Sequence, residues 1–263
     1  MDVQLIDYTG AGTPDPARYA ANKLVFTKQT RLEMRKNLMD EVASWSWERV
    51  LEELAYMANT IPSSWEFVEY TFLINDVTRA FTHQFVRTRT GSYAQQTMRV
   101  LNVNGWTYGT GPTIEGDTEI GVMGTPPAQV KSPGDGQRLY HDTMATLAAT
   151  YDELIDHGIK IEDARGILPT NIHTNIVAKF SLRTLADTAR KRASGRTQGE
   201  YREVMNAMLA EVKRVHPWSE LFLERTFDRA AADLEEAIRN EIGWTDLERI
   251  KAIKLLDQMR MTA

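Results

Sequence analysis

The stretch RTRTGSYAQQTMR, Arg87 to Arg99, sets three arginines among a serine, threonines and side-chain amides. Such a set can grip phosphate, because a guanidinium offers a planar fork that matches phosphate oxygens while hydroxyls and amides add further hydrogen bonds. A second concentration, ARGILPTNIHTNIVAKFSLRTLADTARKRASGRTQGEYRE, covers residues 164–203. On a helix, Arg183, Asp187 and Arg190 fall on one face by their spacing, and Arg192 and Arg196 form an i, i+4 pair. Three readings are open. The clusters are solvated helix faces laced by ion pairs worth about a few tenths of a kcal/mol each, a nucleic-acid patch, or a discrete site for a phosphorylated small molecule. The net charge of −5 argues against a whole-chain polyanion binder. The arginines are also interleaved with acidic and apolar residues, with only Tyr93 and Tyr201 close by as stacking partners. A small-molecule site fits best, with no nucleic-acid partner.

The residues that are missing narrow the chemistry. There is no cysteine, so no thiol nucleophile, disulfide or thiolate-bound metal is available. The five histidines, His83, His141, His157, His173 and His216, include no HExxH pair, and no metal site is expected. GxSxG, Walker A and GxGxxG patterns are absent. Catalysis is left to arginines, amides, hydroxyls and carboxylates, or to a borrowed cofactor. No apolar run approaches the roughly 20 residues of a membrane span, and MDVQLIDYTG lacks the features of a secretory signal. A cytoplasmic protein with no membrane partner is expected.

These side chains need elements to hold them. Residues 3–8 read as a strand, followed by a glycine- and proline-rich turn from Gly10 to Pro16. Trp47, Val50, Leu51, Leu54 and Met57 make the apolar stripe of a helix over residues 44–58. Val68, Tyr70, Phe72 and Ile74 alternate as in a strand, and residues 77–88 then take helical spacing that Gly91 stops. TMRVLNV reads as a further strand, and residues 104–134 as a long loop or lid. Helices are expected over 138–157, 161–167, 174–194 and 197–215, and in the charged stretch after Ala230.

The arginine clusters carry a family resemblance. The run TRAFTHQFVRTRTGSYAQQTMR, Thr78 to Arg99, resembles the signature of flavin-dependent thymidylate synthases, which reads Ser-Arg-Ala, a spacer, Gln, two apolar residues, Arg-His-Arg, then Ser and Arg at fixed distances. Ala164-Arg165-Gly166-Ile167-Leu168-Pro169 resembles that family's Ala-Arg-x-x-Leu-Pro, and Ser181-Leu182-Arg183-Thr184-Leu185 its Asn-x-Arg-Ser-Leu. Lys191-Arg192 with Gln198 and Glu200 resembles its Leu-Arg followed by Ala-Gln-x-Glu. Separated motifs agreeing in order and spacing over about residues 60–210 are far more specific than any one alone.

The resemblance implies an α+β fold, a mostly antiparallel sheet packed with helices, with a catalytic domain over 1–225 and extra C-terminal helices over 226–263. It implies a homotetramer whose active sites lie between subunits and hold FAD, a pyrimidine deoxynucleoside monophosphate and a folate. The reaction implied transfers a one-carbon unit from methylenetetrahydrofolate to C5, converting dUMP to dTMP, with NADPH reducing the flavin. Carried over by position, Gln84, Phe85, Val86, Arg87, Gln95, Gln96, Thr97, Met98, Arg99 and Arg165 would surround the nucleotide, Arg99 and Arg165 at its phosphate. Ser63, Arg87, Thr88, Arg89, Gln95, Ser181, Arg183 and Asp187 would contact FAD, and Arg192 would face negative charge on the pyrimidine. Several positions depart from the pattern. Thr88 stands for a histidine, Gln95 for a glutamate, Thr97 for a serine, Met98 for a glycine, Asp187 for an asparagine and Ile61 for a histidine. Exchanging amides and carboxylates alters the donors and acceptors that tell uracil from cytosine. A dCMP or dUMP methylase or hydroxymethylase is therefore an alternative, and a non-catalytic nucleotide- or flavin-binding homologue another.

Overall fold

A computed structural model describes residues 1–33, 36–99, 113–115, 118–120, 134–192, 199–223, 234, 238, 245–246 and 248–253. The chain divides into two compact units. The first holds residues 1–8, 70–180 and 192–211, and the second holds 9–69, 181–191 and 212–263.

The first unit is built on a four-stranded antiparallel sheet in the order β1-β2-β6-β3, from β1 (Asp2–Tyr8), β2 (Glu69–Thr78), β3 (Ser92–Gln95) and β6 (His173–Ser181). Alternation drives the inner strands: Tyr70, Phe72 and Ile74 of β2, and Ile176, Ala178 and Phe180 of β6, all turn inward. β1 pairs antiparallel with β2 from Asp2↔Asn75 to Tyr8↔Tyr70, with a bulge between Leu5 and Asp7. Helix α4 (Arg79–Phe85) follows β2 directly and packs its aromatic rings on the sheet. Helices α5 (Asp135–Asp156) and α6 (Ile161–Ala164) enclose a separate apolar cluster of Met144, Ala148, Tyr151, Ala164 and Ile172. A short hairpin of β4 (Thr113–Glu115) and β5 (Thr118–Ile120) lies in the stretch expected to be a loop, whose remaining residues up to 133 fall outside the described ones.

The second unit is helical. In α1 (Pro16–Gln29) the Asp15 carboxylate caps the Arg18 N–H at 2.9 Å and Pro16 occupies the first turn, where its missing N–H costs nothing. α2 (Leu38–Ser44) and α3 (Trp47–Thr60) pack against α1, and a 3-10 turn, Pro62–Phe67, follows. Most of α7 (Leu182–Arg192), the end of α8 (Gly199–Val215) and the short α9 (Glu220–Leu223) complete the unit. Trp65 meets Phe222 edge to face at 5.1 Å.

The sequence expectations need three corrections. Residues 174–181 are strand rather than helix: Thr174, Ile176, Ala178 and Phe180 alternate inward, and cross-strand pairing with β3 outweighs a helical spacing. The strand expected at TMRVLNV lies earlier, at Ser92–Gln95, which pairs with Ile176–Lys179, while Thr97, Met98 and Arg99 are irregular and 100–103 lie outside the described residues. Helices α1 and α2 were not anticipated, although Asp15-Pro16 is a start signal.

His216 is fully buried in the second unit, its ring stacked on Trp218 at 5.2 Å. Burial pushes its pKa down from 6.5 to about 4, against weaker hydrogen bonding to the backbone of Thr9 and Pro16. The unfolded chain therefore binds a proton between these two values that the folded chain refuses, so stability falls as pH drops from about 6.5 towards 4. Thermal melting followed from pH 7.5 to pH 4 should show this fall, about 3 kcal/mol at most, and His216→Asn should flatten it over that window.

Candidate active site

The opening motif is anchored from below. Thr78 caps α4, its hydroxyl accepting the Phe81 N–H at 3.1 Å, and the Glu200 carboxylate on α8 accepts both the Thr78 N–H at 2.7 Å and its hydroxyl proton. Glu200 thereby ties the start of α8 to the start of α4. At the far end of α4 the Phe85 ring is fully buried, stacked on Phe81 at 4.8 Å and close to Tyr93 at 5.4 Å and Phe180 at 5.5 Å. Phe85 thus lies in the core, whereas Val86, Arg87 and Arg89 are exposed.

A tight turn carries the arginines. Arg87 N–H bonds Gln84 C=O at 3.2 Å, Thr88 N–H bonds Phe85 C=O at 3.1 Å, and Gly91 N–H bonds Thr88 C=O at 3.0 Å. The Tyr93 hydroxyl lies 2.9 Å from the Thr88 carbonyl and 3.1 Å from that of Phe85, reaching back beneath the turn. Burial raises its pKa to about 12, so it remains a donor. Arg87 and Arg89 have no carboxylate partner among the described residues. Exposed guanidiniums without an internal counter-charge are suited to an external anion.

Beyond Tyr93 the chain is strapped to the sheet. Gln95 donates its amide to Thr82 Oγ1 at 2.9 Å and reaches Thr174 Oγ1 at 3.5 Å. Gln96 N–H bonds Asn175 C=O at 2.9 Å, its side-chain oxygen accepts Asn175 N–H at 3.3 Å, and its carbonyl accepts from Arg79 Nη2 at 2.9 Å. Thr97 Oγ1 accepts the Arg99 N–H at 3.1 Å. Met98 packs against the α5–α6 apolar cluster. A residue standing where the family has glycine thus anchors the strap.

The two arginines expected at a phosphate come together on Glu162. Arg99 Nε donates to the Glu162 carboxylate at 3.1 Å and Arg165 Nε to the Glu162 backbone carbonyl at 3.0 Å. The Arg99 side chain is 70% exposed, and Arg165 is exposed as well. Arg79 belongs with them: partial burial lowers its pKa first, and the Arg165 charge adds to the effect. Sequence reasoning overlooked Glu162 and Arg79. Glu162 stands three residues before Arg165, a spacing that places it on the same helical turn, and Arg79 lies inside the recognised motif. Arg192 closes α7, its guanidinium 5.0 Å above the Tyr201 ring.

The second unit presents its own set. Ser63, exposed on the 3-10 turn, accepts from Arg31 Nη2 at 2.6 Å. Ser181 caps α7, its hydroxyl accepting the Thr184 N–H at 3.2 Å, and the Leu182 N–H bonds Val68 C=O at 2.7 Å. Arg183 pairs with Glu66 at 2.7 Å. Asp187 pairs with Arg190 at 3.3 Å, and Arg190 also bonds the Phe222 carbonyl at 3.3 Å and covers the Trp65 ring. The carboxylate that replaces a family asparagine is therefore partly balanced by a cation one helical turn away.

With this geometry in place, comparison adds the chain's relatives. Residues 4–218 match the family of thymidylate synthase complementing proteins. The chain is 32% identical to a flavin-dependent thymidylate synthase of Clostridium tetani over 227 residues, covering 82% of this chain and 84% of that protein. A flavin-dependent thymidylate synthase of Sulfurisphaera tokodaii is 29% identical, covering 82% of this chain and 75% of its own length. One of Geobacter sulfurreducens is also 29% identical, with 82% and 84% covered.

The turn depends on Gly91. A Cβ there would lie 2.7 Å from the Tyr93 hydroxyl oxygen and 3.0 Å from the Phe180 ring, inside contact distance of rings with no freedom to yield. Gly91→Ala should destabilise the protein by about 1–3 kcal/mol through overpacking, read as a lower urea midpoint at unchanged slope, whereas Gly166→Ala, which meets open space, should not.

Proposed function

The chain belongs to the flavin-dependent thymidylate synthase family, and on that premise we propose that it converts dUMP to dTMP with methylenetetrahydrofolate as one-carbon donor. The observation that carries this reading is the meeting of Arg99 and Arg165 on Glu162, with both guanidiniums exposed. Two held cations that keep open faces suit a nucleotide phosphate, each charge-assisted bond contributing about 1.5–3 kcal/mol. Gln84, Arg87 and the strap from Gln95 to Met98 would surround the rest of the nucleotide.

The donor set also fits a flavin dinucleotide. Arg87 and Arg89, without a carboxylate partner among the described residues, are suited to a pyrophosphate, with Thr88 and Gln95 as neutral partners beside them in the first unit. Ser63, Ser181, Arg183 and Asp187 form a second set, of hydroxyls, one cation and one acceptor, in the other unit. When bound, FAD supplies the hydride that completes the methyl group, NADPH being its reductant. Arg192 would stabilise negative charge on the pyrimidine ring and so raise the nucleophilicity of C5, worth most where the charge develops in a preorganised site. This route suits a chain without cysteine, which cannot add a thiolate to the ring. We place the active sites between subunits of a homotetramer and read 226–263, beyond the matched residues, as a helical extension.

The way the departing residues are engaged supports dUMP as the substrate. Asp187 pairs with Arg190, and the Gln95 amide is turned towards Thr82 and Thr174, which speaks for a uracil rather than a cytosine substrate.

Purified protein should show flavin absorbance and form thymidylate from dUMP in preference to any product from dCMP. Arg99→Ala and Arg165→Ala should each raise the KM for dUMP roughly 10- to 100-fold, and light scattering should give the mass of four chains. Colourless protein that takes up no added FAD would sink the reading, and a hydroxymethylated product or faster turnover of dCMP would replace it with the alternative chemistry.

A further inference from the structure

Arg192 has no carboxylate partner among the described residues. What lies beneath it is a ring: its Cζ sits 5.0 Å from the centroid of Tyr201. That ring is fixed. Tyr201 is 0% exposed and stands edge-on to Phe81 at 5.2 Å and to Phe85 at 5.8 Å. Its hydroxyl finds no partner of ordinary hydrogen-bond geometry among the described residues, and the side chains of Thr88 and Arg192 are the polar groups beside it. Burial raises its pKa, so the phenol stays neutral.

A neutral aromatic seat differs from an ion pair in one respect. A carboxylate would hold Arg192 more tightly but cancel much of its charge. A ring face attracts the cation through its quadrupole and adds no counter-charge. The guanidinium is located and its charge stays available.

We propose that Tyr201 is the positioning residue for Arg192, its ring holding the guanidinium where positive charge meets the pyrimidine. The inference rests on the catalytic reading of Arg192 given above. Phe81 and Phe85 are edge-on neighbours of the ring in the core, and neither touches the guanidinium through a ring face among the described contacts.

The test uses the FAD-loaded full-length enzyme with phenylalanine and then trifluorophenylalanine at position 201, beside Tyr201→Leu, Phe81→Leu and Arg192→Ala. Fluorination removes the negative ring face and barely changes its shape, so folding is preserved. Tyr201→Phe should keep kcat within about threefold. The trifluorinated ring should lower kcat roughly tenfold and Tyr201→Leu roughly 10- to 30-fold, with the KM for dUMP unchanged within about twofold. Phe81→Leu should lower the Tm yet leave kcat within about twofold. Equal kcat for the plain and fluorinated rings overturns the proposal, as does a Phe81→Leu loss that matches Tyr201→Leu. If Arg192→Ala turns over like the wild type, the catalytic reading of Arg192 itself fails, an outcome distinct from failure of the seat.

Discussion

The buried ring of Phe85 is the contact on which the first unit's presented residues depend. It ends α4, stacks on Phe81, and meets Tyr93 of β3, Phe180 of β6 and Tyr201 of α8. One side chain thus joins a helix, two strands and a second helix. Everything exposed nearby is placed relative to it. Arg87 follows two residues later, Thr88 is bonded to the Phe85 carbonyl, and the Tyr93 hydroxyl reaches that same carbonyl region. Aromatic pairs of this geometry contribute about 0.5–1.5 kcal/mol each beyond their buried area, so the arginines project from a stiff platform.

Polar contacts act differently. They do little to hold the unit together, yet they set which atoms are offered outward. Glu200 takes both donors of Thr78, Asn175 takes the backbone N–H and the side-chain oxygen of Gln96, and Arg79 closes on the Gln96 carbonyl. Each such bond fixes the direction of the groups that remain. The guanidiniums of Arg87, Arg89 and Arg99, by contrast, stay exposed. In the second unit the pairs Arg183–Glu66 and Asp187–Arg190 are half-exposed, where such pairs are worth little in stability.

Much of this could be read from the letters, and the failures have causes. The alternation in β2 and the stripe of α3 are strong periodic signals, and both elements lie close to where their patterns put them. HTNIVAKFS misled because small and polar residues blur its period, and its place between β2 and β3 in the sheet shows it to be a strand. The motifs supplied the candidate arginines. They could not supply Glu162, whose role arises from folding α6 against the strap, a contact between residues distant in sequence. Met98 is similar. As a letter it replaces a glycine and suggests a disturbed loop, but in space it is an apolar plug in the α5–α6 cluster.

The two tethers on Glu162 are unlike in kind. Arg165 is held by a backbone carbonyl, which keeps its place and its charge state at any pH, while Arg99 is held by a carboxylate on a rotatable side chain. Glu162 therefore acts as a counter-ion for one arginine and a fixed peg for the other. Two like charges are tethered to one residue, with the charge of Arg99 balanced by the carboxylate. On the function proposed, an arriving dianion would meet one cation already committed in direction and another that must exchange partners. Recognition at this corner would then be a substitution of one anion for another, its net strength the difference between two similar attractions and its selectivity coming from the extra charge and the geometry that a carboxylate lacks.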